Sequence, residues 1–189
     1  MTDSDAYFMR LAIAQAAQSI KNGELPFGSV VVNKAGQLIG AGAQHTKLQM
    51  TDHAEIMAMS QAAPRYGDRL RDCTLYSTVE PCAMCSFIAR QYEVSRVVFG
   101  LRSPLMGGVS HWQILADKQL NRSELGFLDL AFSTPPVIVG GCCEAEIWSQ
   151  WYGWNFVAAA ALELGGIFVG EVKSDYAKRQ GKDKDKDAP

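Results

Sequence analysis

Residues 80–85 read Glu-Pro-Cys-Ala-Met-Cys. Cysteines three apart share one face of a helix. A proline directly before them suits the first helical turn, where its missing N–H costs nothing. The two thiols would then sit at the positive end of a helix dipole, which favours thiolate. Two thiolates on one face make half a zinc site. One nitrogen ligand more makes three and leaves the fourth position open for water, as a catalytic zinc requires. A fold for this chain therefore has to bring a third ligand to the start of this helix.

The chain has three histidines, His45, His53 and His111. His53 is the best placed. It starts a helical pattern that runs to about Ala63, where Pro64 is expected to stop it. Two helices packed on one side of a sheet can bring their N-termini together, and His53 begins one as Cys82 begins the other. Glu55 lies two residues on, a spacing that disfavours ligation but lets the carboxylate reach a metal-bound water. Zinc lowers the pKa of such a water toward about 7. A nearby carboxylate can then take the proton and pass it to a leaving group.

The surrounding pattern predicts alternating elements. Asp3 or Ser4 is expected to cap a first helix that Asn22-Gly23 closes. SVVVNKAGQLIGAG reads as a hairpin around Lys-Ala-Gly. CTLYSTV, SRVVFG and PPVIVGG read as strands. Further helices are expected over Cys82–Gln91, near Trp112–Gln119, and over Glu144–Trp154. This order argues for one layered α/β domain over 1–172. The tail 173–189, alternating in charge and nearly free of apolar residues, is expected to be disordered. FVAAAALELGGIFVG at 156–170 is too short to span a bilayer and carries Glu163, so it reads as a packed or dimer-forming segment. Five cysteines, two of them adjacent at 142 and 143, argue against a secreted disulfide framework and suit a reducing cytoplasm. The N-terminus does not read as a signal peptide. A net charge of −2 exerts no global pull on phosphate backbones.

His53-Ala54-Glu55 together with Pro81-Cys82-Ala83-Met84-Cys85 resembles the zinc-dependent cytidine/deoxycytidylate deaminase superfamily, with its H-x-E…P-C-x-x-C signature. The likeness extends through GELPFGSVVV, the loop before HAEIMAM, CTLYSTVEPCAMC and RVVFG. It points to the branch of guanine, cytosine and tRNA adenosine deaminases. The resemblance implies a three-layer α/β/α fold with a mixed five-stranded sheet, usually a homodimer or larger. It implies one Zn²⁺ per chain on His53, Cys82 and Cys85, with Glu55 as the proton shuttle. Backbone N–H groups of Ala54 and Cys82 would hold substrate oxygen atoms. The implied reaction is attack of hydroxide on an amino-bearing ring carbon, followed by loss of ammonia.

Several residues carry two readings. Cys73, Cys142 or Cys143 could close a structural zinc cage as a fourth ligand, or each could be a packing residue. Phe27 could stack on a base or anchor a turn. Trp148, Trp151 and Trp154 could pack in the core, at a dimer interface, or as a pocket lid. His111 could touch substrate or lie on the surface. Arg65, Arg69 and Arg71 read as a solvated connector. The family usually reads the base with an asparagine after the second strand, and here Gln44 or His45 stands near that place. The guanine and tRNA branches often place an aspartate after RVVFG, and here Ser103 stands near it. The favoured substrate is thus a small free base, nucleoside or related heterocycle. A tRNA adenosine is the alternative, weighed down by the acidic balance, the absent aspartate and the lack of a basic C-terminal helix. A non-catalytic zinc-stabilised module is the third reading.

Overall fold

The computed structural model describes residues 2–67, 69–121 and 134–170. Neighbouring strand residues serve opposite layers. Val31, Leu75 and Val97 join one apolar cluster, while Val30, Val32, Tyr76 and Val98 join another. This follows from the alternation of side chains along a strand, and it requires cover on both faces. The elements are α1 (Asp3–Lys21), β1 (Gly28–Val32), β2 (Leu38–Ala43), α2 (Ala54–Tyr66), β3 (Thr74–Val79), α3 (Ala83–Gln91), β4 (Arg96–Leu101), β5 (Val137–Val139), α4 (Glu144–Trp154) and α5 (Phe156–Leu164). Ala58, Met59 and Ala62 of α2 and Ala89 of α3 cover the first face. Met9 and Ala12 of α1, Ile147 and Trp151 of α4 and Ala159 of α5 cover the second. The result is the expected three-layer α/β/α arrangement.

The sheet order is β2-β1-β3-β4-β5. β1 is antiparallel to both β2 and β3, and β3, β4 and β5 are parallel. Because only β1 is reversed, the other four strands all end at the same edge of the sheet. The loops that lead into α2 and α3 start from that edge, so both helices begin there. Gly40 and Gly42 let α2 lie close on β2. A Cβ at either position would strike the Ala58 or Ala54 carbonyl.

Local chemistry corrects several sequence expectations. Thr2, not Asp3 or Ser4, caps α1. Its hydroxyl accepts from Asp5 N–H at 3.3 Å while its own N–H donates to Asp5 Oδ2 at 2.8 Å, forming a capping box. Pro64 does not stop α2, which runs on to Tyr66. The carbonyl deprived of its partner belongs to exposed Ser60, where water can replace the bond. Pro81 lies outside α3, before the N-cap Cys82. No α-helix forms over 112–119. Buried Arg90 takes the carbonyls of Ile114 and Asp117, at 2.9 and 2.8 Å, and holds this stretch in successive turns. Arg69 and Arg71 pair with buried Glu93 rather than only facing solvent. In the 156–170 segment, Ala159 and Phe168 are buried, but Phe156, Val157 and Leu164 stay exposed. The tail 173–189 lies outside the described residues. None of the described helices is long and apolar enough to cross a membrane.

One buried ion pair ties α1 to the sheet. Asp5 is 1% exposed, and Arg96 grips it with bonds of 2.6 and 3.0 Å. Burial opposes the Asp5 charge, but bonds from Arg96, Thr2 N–H and the Tyr76 hydroxyl outweigh it and hold the carboxyl well below the usual range. A depressed folded-state pKa stabilises the fold above the unfolded value of about 3.9, and that contribution is lost as pH falls toward the folded value. Arg96→Ala, which leaves the carboxylate buried without its partner, is expected to cost about 3 kcal/mol at pH 6. Urea unfolding should show the wild-type advantage over Asp5→Asn shrinking as pH drops below about 4.

Candidate metal centre and active site

α2 and α3 have cap residues of the same kind. His53 is the N-cap of α2 and Cys82 is the N-cap of α3, and neither side chain caps its own helix. Both turn toward each other instead. His53 Nδ1 lies 3.7 Å from Cys82 Sγ and 3.5 Å from Cys85 Sγ. All three ligand atoms lie within 4.8 Å of one another, the one such cluster among the described residues. Nitrogen and sulfur bound tetrahedrally to one zinc stand about 3.6 Å apart, so the spacing and the donor set fit that ion.

The three side chains share their protons. The bond from Cys85, and then His53, brings the Cys82 thiol down to about 4. That same bond to Cys82, with burial, pushes Cys85 up. His53 is raised by its bond to Cys82, against burial. The sequence alternative of a fourth cysteine ligand fails. Cys73 packs in the α2–α3 layer, and Cys142 packs in the opposite one. Burial pushes their thiols up to about 11 and about 12, as befits packing residues. Cys143 reaches the Ala6 carbonyl on α1, away from the cluster.

Glu55 sits in the first turn of α2 and is 7% exposed. Its Oε1 accepts from Ser77 Oγ at 3.2 Å, and its Oε2 faces Cys85 Sγ at 3.6 Å. Burial, and then the Cys82 thiolate, push its carboxyl up. A carboxyl with a raised pKa can both take and release a proton near neutrality. Glu55, His53 and Cys82 line a cavity of ≈ 450 Å³, counted out to its open mouth. Its other walls come from the same sheet edge. Phe27 precedes β1 and Gln44 follows β2. Glu80 follows β3, and Ser103 and Met106 follow β4.

The remaining sequence candidates divide. Phe27 lies between the cavity and the core. It lines the cavity and packs edge-on against Trp151 and Phe168, with centroids 5.4 and 5.8 Å apart. Gln44 is in the wall; His45 is not. His45 closes the following loop through its N–H to the Asp52 carbonyl and lies near Glu24. His111 is exposed, edge-on to Trp112, and outside the cavity wall. Trp151 is fully buried in the core. Ala54 opens α2, where its N–H has no acceptor within the helix.

Residues 2–101 match the cytidine and deoxycytidylate deaminase zinc-binding region. The chain belongs to that zinc-dependent deaminase family. It is therefore an enzyme that removes an exocyclic amine from a nucleobase or nucleoside. Among its relatives, the tRNA-specific adenosine deaminase of Streptococcus pyogenes serotype M1 is 40% identical over 123 residues, spanning 63% of this chain and 71% of that protein. The tRNA-specific adenosine deaminase of Aquifex aeolicus is 34% identical over 120 residues, 61% of this chain and 78% of that protein. A solved structure from studies of A-to-I editing by tRNA:A34 deaminases superposes with a TM-score of 0.64 at 25% identity, covering 76% of this chain and 98% of that one.

Sequence reasoning missed Glu80, Met106 and Phe168 as wall residues of this deaminase, and met Ser103 only as a departure from a pattern. Glu80 could have been found from its place beside Pro81-Cys82. Nothing local marks Phe168, which arrives from the far end of the chain. His53→Ala, Cys82→Ala and Cys85→Ala are each expected to bring bound zinc well below one ion per chain. Cys73→Ala and Cys142→Ala should leave it unchanged. Elemental analysis of the purified variants checks this.

Proposed function

We propose that this deaminase converts adenosine to inosine in tRNA, with His53, Cys82 and Cys85 as the zinc ligands and Glu55 as the proton carrier. One observation carries the reading: a three-ligand cluster with a buried carboxylate beside it, in a chain 40% identical to a tRNA-specific adenosine deaminase. The sequence alone placed the RNA substrate second, on its acidic balance, the absent aspartate and the lack of a basic C-terminal helix; of these, net charge is a whole-chain quantity, whereas a strand of RNA meets only a local surface.

A zinc ion on these ligands supplies Lewis acidity and a water of lowered pKa. The chain's own residues do the rest. Glu55 accepts a proton from the attacking water as the new carbon–oxygen bond forms. It delivers that proton to a ring nitrogen, then takes the proton of the new hydroxyl and passes it to the departing amine, so the carbonyl forms as the carbon–nitrogen bond breaks with release of ammonia. Ser77 steers the carboxylate through Oε1, leaving Oε2 on the side of the cysteine ligand. Phe27 and Val79 give the cavity apolar walls. The free N–H at the start of α2 can hold an oxygen of the substrate.

A second reading, a free base or nucleoside, is favoured by Phe168, which narrows the cavity from the C-terminal side. Zinc-loaded protein is expected to form inosine in a tRNA anticodon stem-loop, detected by mass spectrometry of the digested RNA, with affinity that falls as salt rises. Glu55→Gln should keep its zinc and its fold and lose about 10²–10⁴ in turnover. Ammonia released only from free bases or nucleosides would replace the RNA substrate with the second reading. None from any substrate would overturn both.

A further inference from the structure

Ser103 has one polar atom with nothing to bind. The residue is 2% exposed, lines the cavity with Glu55 and Gln44, and its Oγ has no hydrogen-bond partner among the described residues. A buried hydroxyl without a partner destabilises a fold. Here it is retained while the backbone around it is fully engaged. Ser103 N–H donates to Glu80 Oε2 at 3.0 Å, and its carbonyl accepts from Gly107 N–H at 2.7 Å. The preceding Arg102 is bridged in both directions to Val169, at 2.8 and 3.0 Å.

Glu80 fixes the whole loop. Besides Ser103 N–H, its carboxylate accepts from Val109 N–H at 2.8 Å, Ser110 N–H at 2.6 Å and the Ser110 hydroxyl at 2.5 Å. Gly107 presses on this carboxylate so closely that a Cβ would collide with it. The Glu80 side chain is thereby engaged by the loop, although it borders the cavity. Apart from His53, Glu55 and Cys82, the wall side chains with hydrogen-bonding groups that lack a partner among the described residues are the Ser103 hydroxyl and the amide of Gln44, which is 6% exposed. Both are neutral, and both can donate.

That donor character suits a purine ring. Away from its reacting amine, adenine presents ring nitrogens N3 and N7, both acceptors. A wall that offers donors satisfies them, whereas a carboxylate could only accept. We propose that Ser103 is a substrate-binding residue, its hydroxyl donating a hydrogen bond to a ring nitrogen of the adenine base. This rests on the adenosine reading above and names a contact that orients the base.

The test is a cycle of one variant and two analogues. Stem-loops carry adenosine, 3-deazaadenosine or 7-deazaadenosine at the reacting position, and kcat/KM is measured for wild type and Ser103→Ala. Ser103→Ala is expected to keep its zinc and its Tm, or to gain in Tm because an unpaired buried hydroxyl is removed, and to lose about tenfold in kcat/KM on adenosine. A merely structural serine would not combine a kept or raised Tm with lost activity. One of the two analogues should lose about tenfold with wild type and nothing further with Ser103→Ala. The wild-type comparison of analogues stands even if the variant fails to fold. Equal kcat/KM for variant and wild type, or losses that multiply for both analogues, would overturn the contact. If only free adenine or adenosine is turned over, the RNA reading fails and the same cycle on the free nucleosides decides the contact. Turnover confined to a base other than adenine overturns both.

Discussion

The reversal of a single strand is the constraint on which the site depends. β1 runs against both of its neighbours, so β2 and β3 end at the same edge although they are not adjacent. Each strand leads into a helix whose first turn lies over that edge. The two helix starts are then close enough for an imidazole and two thiols to meet within 4.8 Å. With β1 parallel to its neighbours, the connection to β2 would need a long crossover, and the approach of α2 along the glycines of β2 would be lost. The centre is thus a product of strand direction and of close packing between α2 and β2.

The site also holds two buried acid residues in different surroundings. Glu55 and Glu80 both border the cavity, and both are nearly buried. Glu80 is held by four donors from one loop. Glu55 has a serine hydroxyl and a thiol. Burial raises the proton affinity of the sparsely bonded Glu55. The richly bonded one holds the wall opposite it. The same loop leaves the Ser103 hydroxyl without a partner among the described residues.

Much of this was legible along the chain. The β1–β2 hairpin, β3 through β5, and α4 follow from alternation, turn residues and helical spacing. His53, Glu55, Cys82 and Cys85 follow from the chemistry that their types and spacings allow. The misreadings share a cause. Trp112–Gln119 has helical periodicity, but Arg90, more than twenty residues earlier, takes the carbonyls a helix would use. Pro64 is a helix breaker by propensity, but its lost bond falls on an exposed carbonyl. Gln44 and His45 were equivalent by sequence, and the end of β2 places only the first in the wall.

What the sequence determined by itself is one histidine, two cysteines and a carboxylate at spacings that suit helix starts, since side-chain type and local periodicity are carried by a few neighbouring residues, and a motif whose likeness to a deaminase family implies the reaction. What only the tertiary structure decided is the wall around them. Ser103, Met106 and Phe168 face Glu55 because strand order and the return of the chain after α5 bring them there, and contacts between residues far apart in sequence leave no local pattern to read.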